Sequence, residues 1–240
     1  MRIRTRWMGI GCALAVLAAA EGAEKVAPDA AAIIRQARMS AALQHTDLHG
    51  VIRKGRKKID VSLFLRGPNI QFALRGGALR FHMRLRDDRC ELLELINGKT
   101  RRFPASKLVA PIEGTDLNFE DLALRFFYWP HPKLEGSERV KGSDCWKIRI
   151  DNPGRDGNFG VVYVWVNKKY GAFMRIRGHD RKGRLLKQFE VEEVMKIGKG
   201  LYTIRKMKID TMNPATGRVA GSTWIEFNRP RKTDPGGLRR

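Results

Sequence analysis

Leu79-Arg80-Phe81-His82-Met83-Arg84-Leu85-Arg86 places a large apolar residue at every second position and fills the gaps with three Arg and one His. Successive strand side chains point to opposite sides, so a period of two marks a β-strand with one dry face and one wet face. The same alternation returns in Val61-Ser62-Leu63, Ile70-Gln71-Phe72-Ala73-Leu74, Trp146-Lys147-Ile148-Arg149-Ile150 and Thr223-Trp224-Ile225-Glu226-Phe227. Val161 to Val166 is apolar at every position and should be covered on both faces. Between these runs stand Gly67-Pro68-Asn69, Gly76-Gly77, Asn97-Gly98, Lys182-Gly183, Gly198-Lys199-Gly200 and Asn213-Pro214-Ala215-Thr216-Gly217. Turns this short join consecutive strands as antiparallel hairpins. The expected fold is therefore mainly β, an α+β chain built on one meander of roughly nine to eleven strands, too many for a flat open sheet. It should curve strongly into an incomplete β-barrel.

Two segments break the period. Ala30 to Leu43 returns Ile33, Ile34, Ala37, Ala41 and Leu43 at helical spacing behind Asp29, a residue suited to cap a helix. Between Pro104 and Pro132, Asn118 can cap a helix through Phe119–Phe127, with Leu122, Phe126 and Trp129 on one face. Both helices can lie across the mouth of a curved sheet as a lid. Glu120-Asp121 reads as an acidic first turn that complements the helix dipole, and Asp87-Asp88 as a hairpin turn.

At the start of the chain, Arg2, Arg4 and Arg6 precede an uncharged apolar run from Trp7 to Ala20. That run is shorter than the roughly 20 residues a membrane-crossing helix needs, and Ala18-Ala19-Ala20 offers small residues for cleavage. Residues 1–20 are expected to be a signal peptide and the protein to be exported to the periplasm. The tail, residues 229–240, mixes Arg, Lys, Pro and Gly without an apolar pattern and is expected to be disordered.

The 240 residues hold 47 Lys+Arg against 25 Asp+Glu, a formal charge of +22. The leader carries three Arg and no acid, so its loss leaves about +19, and the basicity belongs to the mature protein. An exported chain does not meet genomic DNA, which turns the expectation from nucleic acid toward anionic membrane surfaces. Arg53, Lys54, Arg56, Lys57 and Lys58 form the densest run. It is either a strand edge protected by charge or a docking patch for anionic lipid headgroups or an acidic partner.

Motifs that carry chemistry are missing from the sequence. No His pair has zinc-ligand spacing on a helix, no G-x-S-x-G elbow occurs, and Gly98-Lys99-Thr100 lacks the upstream Gly of a phosphate-binding loop. The expectation is a protein that is not an enzyme and has no cofactor or metal. Beyond Cys12 in the leader, Cys90 and Cys145 can form one disulfide or remain two buried thiols.

The order of elements, signal peptide, amphipathic helix, long antiparallel meander and inserted helical segment, resembles the LolA/LolB superfamily of periplasmic lipoprotein carriers. Within it, the LolA-like outer membrane lipoprotein-sorting proteins are the most similar group. The resemblance rests on Gly114-Thr115-Asp116-Leu117-Asn118-Phe119-Glu120-Asp121-Leu122 with Tyr128-Trp129-Pro130, on Gly142-Ser143-Asp144-Cys145-Trp146, and on Tyr163-Val164-Trp165-Val166-Asn167. Asp180-Arg181-Lys182-Gly183-Arg184-Leu185-Leu186-Lys187 and the Asn213–Gly217 turn continue it, so that it spans residues 27–228. It implies a half-barrel domain whose concave apolar face, roofed by helices, takes up acyl chains of a lipoprotein or another amphiphile. Candidate lining residues are Phe72, Phe81, Met83, Trp146, Ile148, Trp165 and Ile176 from the strands, with Ile33, Leu122 and Phe126 from the lid. A protein of the inner or outer membrane would then be a further partner. The other reading is an envelope binding or regulatory module of the same fold that recognises a protein or senses lipoproteins.

Overall fold

The computed structural model describes residues 28–42, 46–198 and 201–230. The expected signal peptide, with Cys12, and residues 231–240 of the tail lie outside the described residues. Helix α1 (Ala30–Ala42) comes first, opened by Asp29, whose Oδ1 accepts from the Ala31 amide at 2.9 Å. Six strands follow: β1 (Asp47–Lys54), β2 (Lys57–Arg66), β3 (Asn69–Leu74), β4 (Leu79–Leu85), β5 (Cys90–Ile96) and β6 (Lys99–Arg102). An insert then carries two short helices, α2 (Ala105–Leu108) and α3 (Phe119–Ala123), and a 3-10 turn at Arg125–Tyr128. The chain closes with β7 (Lys133–Val140), β8 (Ser143–Asp151), β9 (Val161–Asn167), β10 (Phe173–His179), β11 (Leu185–Gly198), β12 (Leu201–Met212) and β13 (Val219–Phe227).

All thirteen strands join one antiparallel sheet in the order β6-β5-β4-β3-β2-β1-β13-β12-β11-β10-β9-β8-β7. The mainly antiparallel fold expected from the periodicity is the fold observed, with more strands than the alternating runs alone mark. β6 and β7 are the two free edges, so the sheet is not closed into a barrel. The hairpins form where the turn residues place them: Asn97-Gly98 takes φ of 49° and 75°, the pair of positive values that matches the twist of flanking strands.

One apolar cluster collects Ile52, Val61, Leu65, Phe72, Phe81 and Met83 from one half of the sheet, Ile148, Val162, Val164, Ile176, Phe189 and Ile209 from the other, and Ile33 and Ala37 from α1. A single interior shared by both halves requires the sheet to wrap around it. Val161–Asn167 is covered on both faces, as its composition requires: Val162, Val164 and Val166 face this interior, whereas Trp165 belongs to a separate cluster with Val140 and Cys145 on the outer face.

The helix read over Phe119–Phe127 is broken. It stops at Ala123 because Leu124 adopts a left-handed conformation at φ 46°, ψ 39°, and the chain resumes as a 3-10 turn. The break separates the two apolar groups of the segment. Phe126 and Phe127 are buried against Phe159 and Phe173, at centroid separations of 6.4 Å and 5.9 Å.

Cys90 and Cys145 are unpaired thiols. Cys90 packs against the inner cluster, with Sγ 3.9 Å from the Ala123 carbonyl oxygen, while Cys145 sits in the outer one, so the sheet itself stands between them. Burial pushes the Cys90 thiol up to about 12, which keeps it protonated and unreactive at neutral pH. A free-thiol titration of the denatured, non-reduced protein is expected to count both Cys90 and Cys145. A chain with no free thiol would contradict this arrangement.

A lidded apolar cavity on the concave face

Strand β6 lies at one edge of the sheet and β7 at the other, so the segment from Phe103 to Pro132 joins the two edges, and Phe103, Ile112, Leu117 and Phe119 pack it into the inner cluster on the concave side. Its crossing is fixed at three places. Asp116 and Thr223 of β13 exchange hydrogen bonds: the Asp116 amide donates to Thr223 Oγ1 at 2.9 Å, and that hydroxyl donates to Asp116 Oδ2 at 2.8 Å. Gly221 lies beside them, where an added Cβ would stand 2.5 Å from Asp116 Oδ1, so a larger residue would displace the Asp116 carboxylate from this position. The β1–β2 hairpin supplies the second attachment, with Lys54 Nζ 3.1 Å from Asp116 Oδ1 and Lys57 bonded to the Glu113 carbonyl oxygen.

The basic run is thereby accounted for in large part. Lys54 and Lys57 hold the insert, and Arg53 pairs with Glu226 at 3.3 Å while lying over the Trp224 ring. Arg56 and Lys58 are exposed at the hairpin tip.

The third attachment is α3. Asn118 and Asp121 form a reciprocal capping box, each backbone amide donating to the other's side chain at 2.8 Å. Asp121 Oδ2 also accepts from Lys187 Nζ, which reaches inward from β11 on the same face as Phe189 and Val191. Both groups are well buried, with side-chain exposures of 0% for Asp121 and 13% for Lys187. Glu120 is buried too, accepting from the Asn158 amide at 3.4 Å. Burial pushes both carboxyls above the ordinary carboxylate range, against the opposing pull of Lys187 and of the amides that donate to them.

Between α3 and the sheet lies a cavity of about 390 Å³. Leu48, Val61, Leu63, Leu65, Ile70, Phe72 and Met83 line it from β1–β4, and Phe173, Val191, Ile204, Met207 and Ile225 from β10–β13. Leu117, Asp121, Leu122 and Leu124 close it from the insert, the left-handed turn at Leu124 aiming that side chain inward beside Leu122. Val194, Tyr170 and Tyr202 also line it while remaining exposed, which puts them at its opening. Among the lining residues Asp121 alone carries a charge.

Of the residues selected from the sequence, Phe72, Met83 and Leu122 stand on this wall. Phe81 is the cross-strand partner of Phe72 on β4, stacked on it at 4.6 Å but not part of the wall, and Ile33, Phe126, Ile148 and Ile176 are packed elsewhere in the inner cluster. Trp146 is half-buried under Lys168, whose Nζ is 3.8 Å from the ring centroid. Trp165 faces the opposite side of the sheet, donating to Glu138 Oε2 at 2.8 Å beneath Lys147, Arg175 and Arg177. Lys187 and Asp121 did not stand out in the sequence, because a lysine in a strand and an acid in a first helical turn are ordinary surface residues until the fold buries them. The N-x-x-D spacing of Asn118 and Asp121 was the available signal for the capping box. Among the described residues no group of three or more His, Cys, Asp or Glu is placed to hold a metal ion.

A one-sheet wrap with a lidded concave face defines the LolA-like fold, and solved structures share it. A putative outer membrane lipoprotein-sorting protein domain from Vibrio parahaemolyticus superposes with a TM-score of 0.65 at 13% identity, covering 87% of this chain and 94% of its own. A LolA superfamily protein from Nitrosomonas europaea gives 0.61 at 16% identity, covering 87% and 96%. A DUF1329 family protein from Desulfovibrio piger gives 0.60 at 21% identity, covering 85% and 93%. No curated protein sequence matches. Residues 97–233, more than half of the chain, match the model of a family described as "Uncharacterized protein", and the chain belongs to that family.

The raised carboxyls fix the sign of a pH effect. Where the folded pKa exceeds the unfolded one, the unfolded chain releases its proton first as pH rises. Each carboxyl therefore removes stability from about pH 4, the ordinary carboxylate value, up to its own raised pKa. Glu120→Gln removes one of these terms, so urea unfolding between pH 4 and pH 8 should show the variant gaining on the wild type as pH increases. A wild type that gains on the variant over that interval would contradict the assignment.

Proposed function

We propose that this protein is an exported carrier that takes an acyl chain of a lipoprotein, or of another amphiphile, into the cavity beneath the insert, without catalysing a reaction. The observation that carries the reading is the cavity itself, open at one side, walled by aliphatic and aromatic residues from both halves of the sheet and roofed by α3. Its volume falls in the range of about 300–1,000 Å³ usual for small-molecule sites. An acyl chain gains about 0.8 kcal/mol per methylene moved from water into such a wall. The fold shared with lipoprotein-sorting domains supports the same reading.

Residues 27–228 form the carrier unit in this proposal, and residues 1–20 deliver it to the periplasm before removal. No helix among the described residues is long and apolar enough to cross a membrane. The excess of basic residues suits a protein that works against anionic membrane surfaces, with the exposed Arg56 and Lys58 of the hairpin tip available to them, and that hands its cargo to a membrane protein.

Native mass spectrometry of the protein purified from its own cell envelope is expected to show co-purified acyl species. Leu63→Trp and Met207→Trp, which fill the cavity from opposite walls, should leave the fold intact and weaken displacement of a bound naphthylamine fluorophore by palmitate about tenfold, the effect of losing about two buried methylenes. An empty protein, or uptake unchanged in both variants, would contradict the carrier function.

A further inference from the structure

The cavity and its mouth differ in size and in charge. A dry apolar cavity of about 150 Å³ takes up one benzene, six carbons. On that scale the cavity of about 390 Å³ beneath the insert takes about sixteen carbons, which is one acyl chain and not two. At the mouth, Tyr170 and Tyr202 stand with ring centroids 6.0 Å apart and are 58% and 48% exposed. Each has a lysine beside it. Lys169 Nζ lies 5.2 Å from the Tyr170 ring centroid, and Lys196 of β11 is the cross-strand partner of Tyr202 on β12, which puts those two side chains on one face of the sheet. Both lysines are exposed, and neither is ion-paired among the described residues. Residues 168–172 and 194–204 contain no acid. The acids nearest along β11, Glu192 and Glu193, are taken by Lys206 at 3.1 Å and Arg205 at 2.7 Å.

We infer that the ligand of this cavity is a single-chain amphiphile with an anionic head, its chain enclosed beneath the insert and its carboxylate or phosphate held at the mouth by Lys169 and Lys196. This rests on the acyl-carrier reading and names the class of ligand. An anionic head carried inward would find Lys187 already bonded to Asp121 in a dry setting. An ammonium head would meet two like charges at the mouth, with the Tyr170 ring already beneath Lys169. A neutral head leaves both lysines without a counterion. A two-chain lipid would leave one chain in water.

Displacement of the naphthylamine fluorophore from the wild-type protein by dodecanoate, dodecyl phosphate and dodecanol, matched in chain length, reads the head group. Both anions are expected to bind about tenfold tighter than the alcohol, the scale of two exposed ion pairs, and the tighter anion assigns the head as carboxylate or phosphate. Added salt should shrink the preference. In the double variant Lys169→Gln, Lys196→Gln, both at exposed positions, the anion-to-alcohol affinity ratio should fall to about one. Didodecyl phosphate should bind no tighter than dodecyl phosphate, because its second chain has no room.

Equal affinity for anion and alcohol, or a preference that survives in the double variant, would overturn the head-group assignment and leave the carrier standing. Loss of binding to phosphatidylglycerol vesicles in a double variant that keeps the anion preference would give the lysines to a membrane surface and overturn it likewise. A two-chain phosphate that binds many times tighter than its one-chain counterpart would overturn the single chain. Failure of all four ligands to displace the fluorophore would overturn the carrier reading and this inference with it.

Discussion

The structure depends on one topological constraint, the need for a chain that has finished one edge of a thirteen-stranded open sheet to begin again at the other. β6 and β7 are consecutive strands and the two ends of the sheet. The first and last strands, β1 and β13, pair near the middle, so neither terminus can take over the crossing. Strand-to-strand hairpins build each half locally, but the passage from Phe103 to Pro132 joins the two edges, and burial of Ile112, Leu117 and Phe119 in the inner cluster takes it over the concave side. A sheet this wide curls around an apolar interior, and the segment forced across that interior becomes its roof. Cavity and lid are in this sense products of strand order.

Polar contacts then decide how closely the roof sits. The insert is held by groups of opposite character at its two ends. Toward the β1–β2 hairpin, Glu113 and Asp116 meet lysines that remain partly exposed, and such pairs in water are worth little individually. Toward β11, Asp121 and Lys187 meet in a dry setting, where removing either partner would strand a buried charge. The capping box ties that pair to the start of α3, so the helix cannot shift without breaking it. The result is an apolar wall with a single charged position whose orientation is fixed by backbone and side chain together.

Much of this was legible in the sequence, for reasons that individual residues make plain. Alternation in Leu79–Leu85 and Ile70–Leu74 assigns Phe72 and Met83 to the dry face, which is the face that lines the cavity. Helical spacing and Asn118 together located the lid and its cap, and with it Leu122. Alternation loses its power where both faces are apolar. In Val161–Val166 it cannot say which side is inner, so Trp165 stood among the candidate lining residues, whereas the fold turns the valines inward and covers the tryptophan with arginines and a lysine on the outside. Charge density in Arg53–Lys58 was visible as well, but its partners Glu113 and Asp116 lie some 60 positions away in the chain, and only the crossing brings them together. Leu124 broke the expected long helix through a backbone conformation that a leucine seldom adopts, which no local pattern announces.

The claim on which the account turns is that the space between insert and sheet holds an acyl chain. Intermolecular nuclear Overhauser contacts between the methylenes of a bound dodecyl ligand and methyl-labelled protein read this directly. Contacts to Leu65, Met83, Leu122 and Met207, which face that space from both halves of the sheet and from the lid, are the result predicted. Contacts confined to the outer face around Val140, or a ligand that touches none of these methyls, would contradict it.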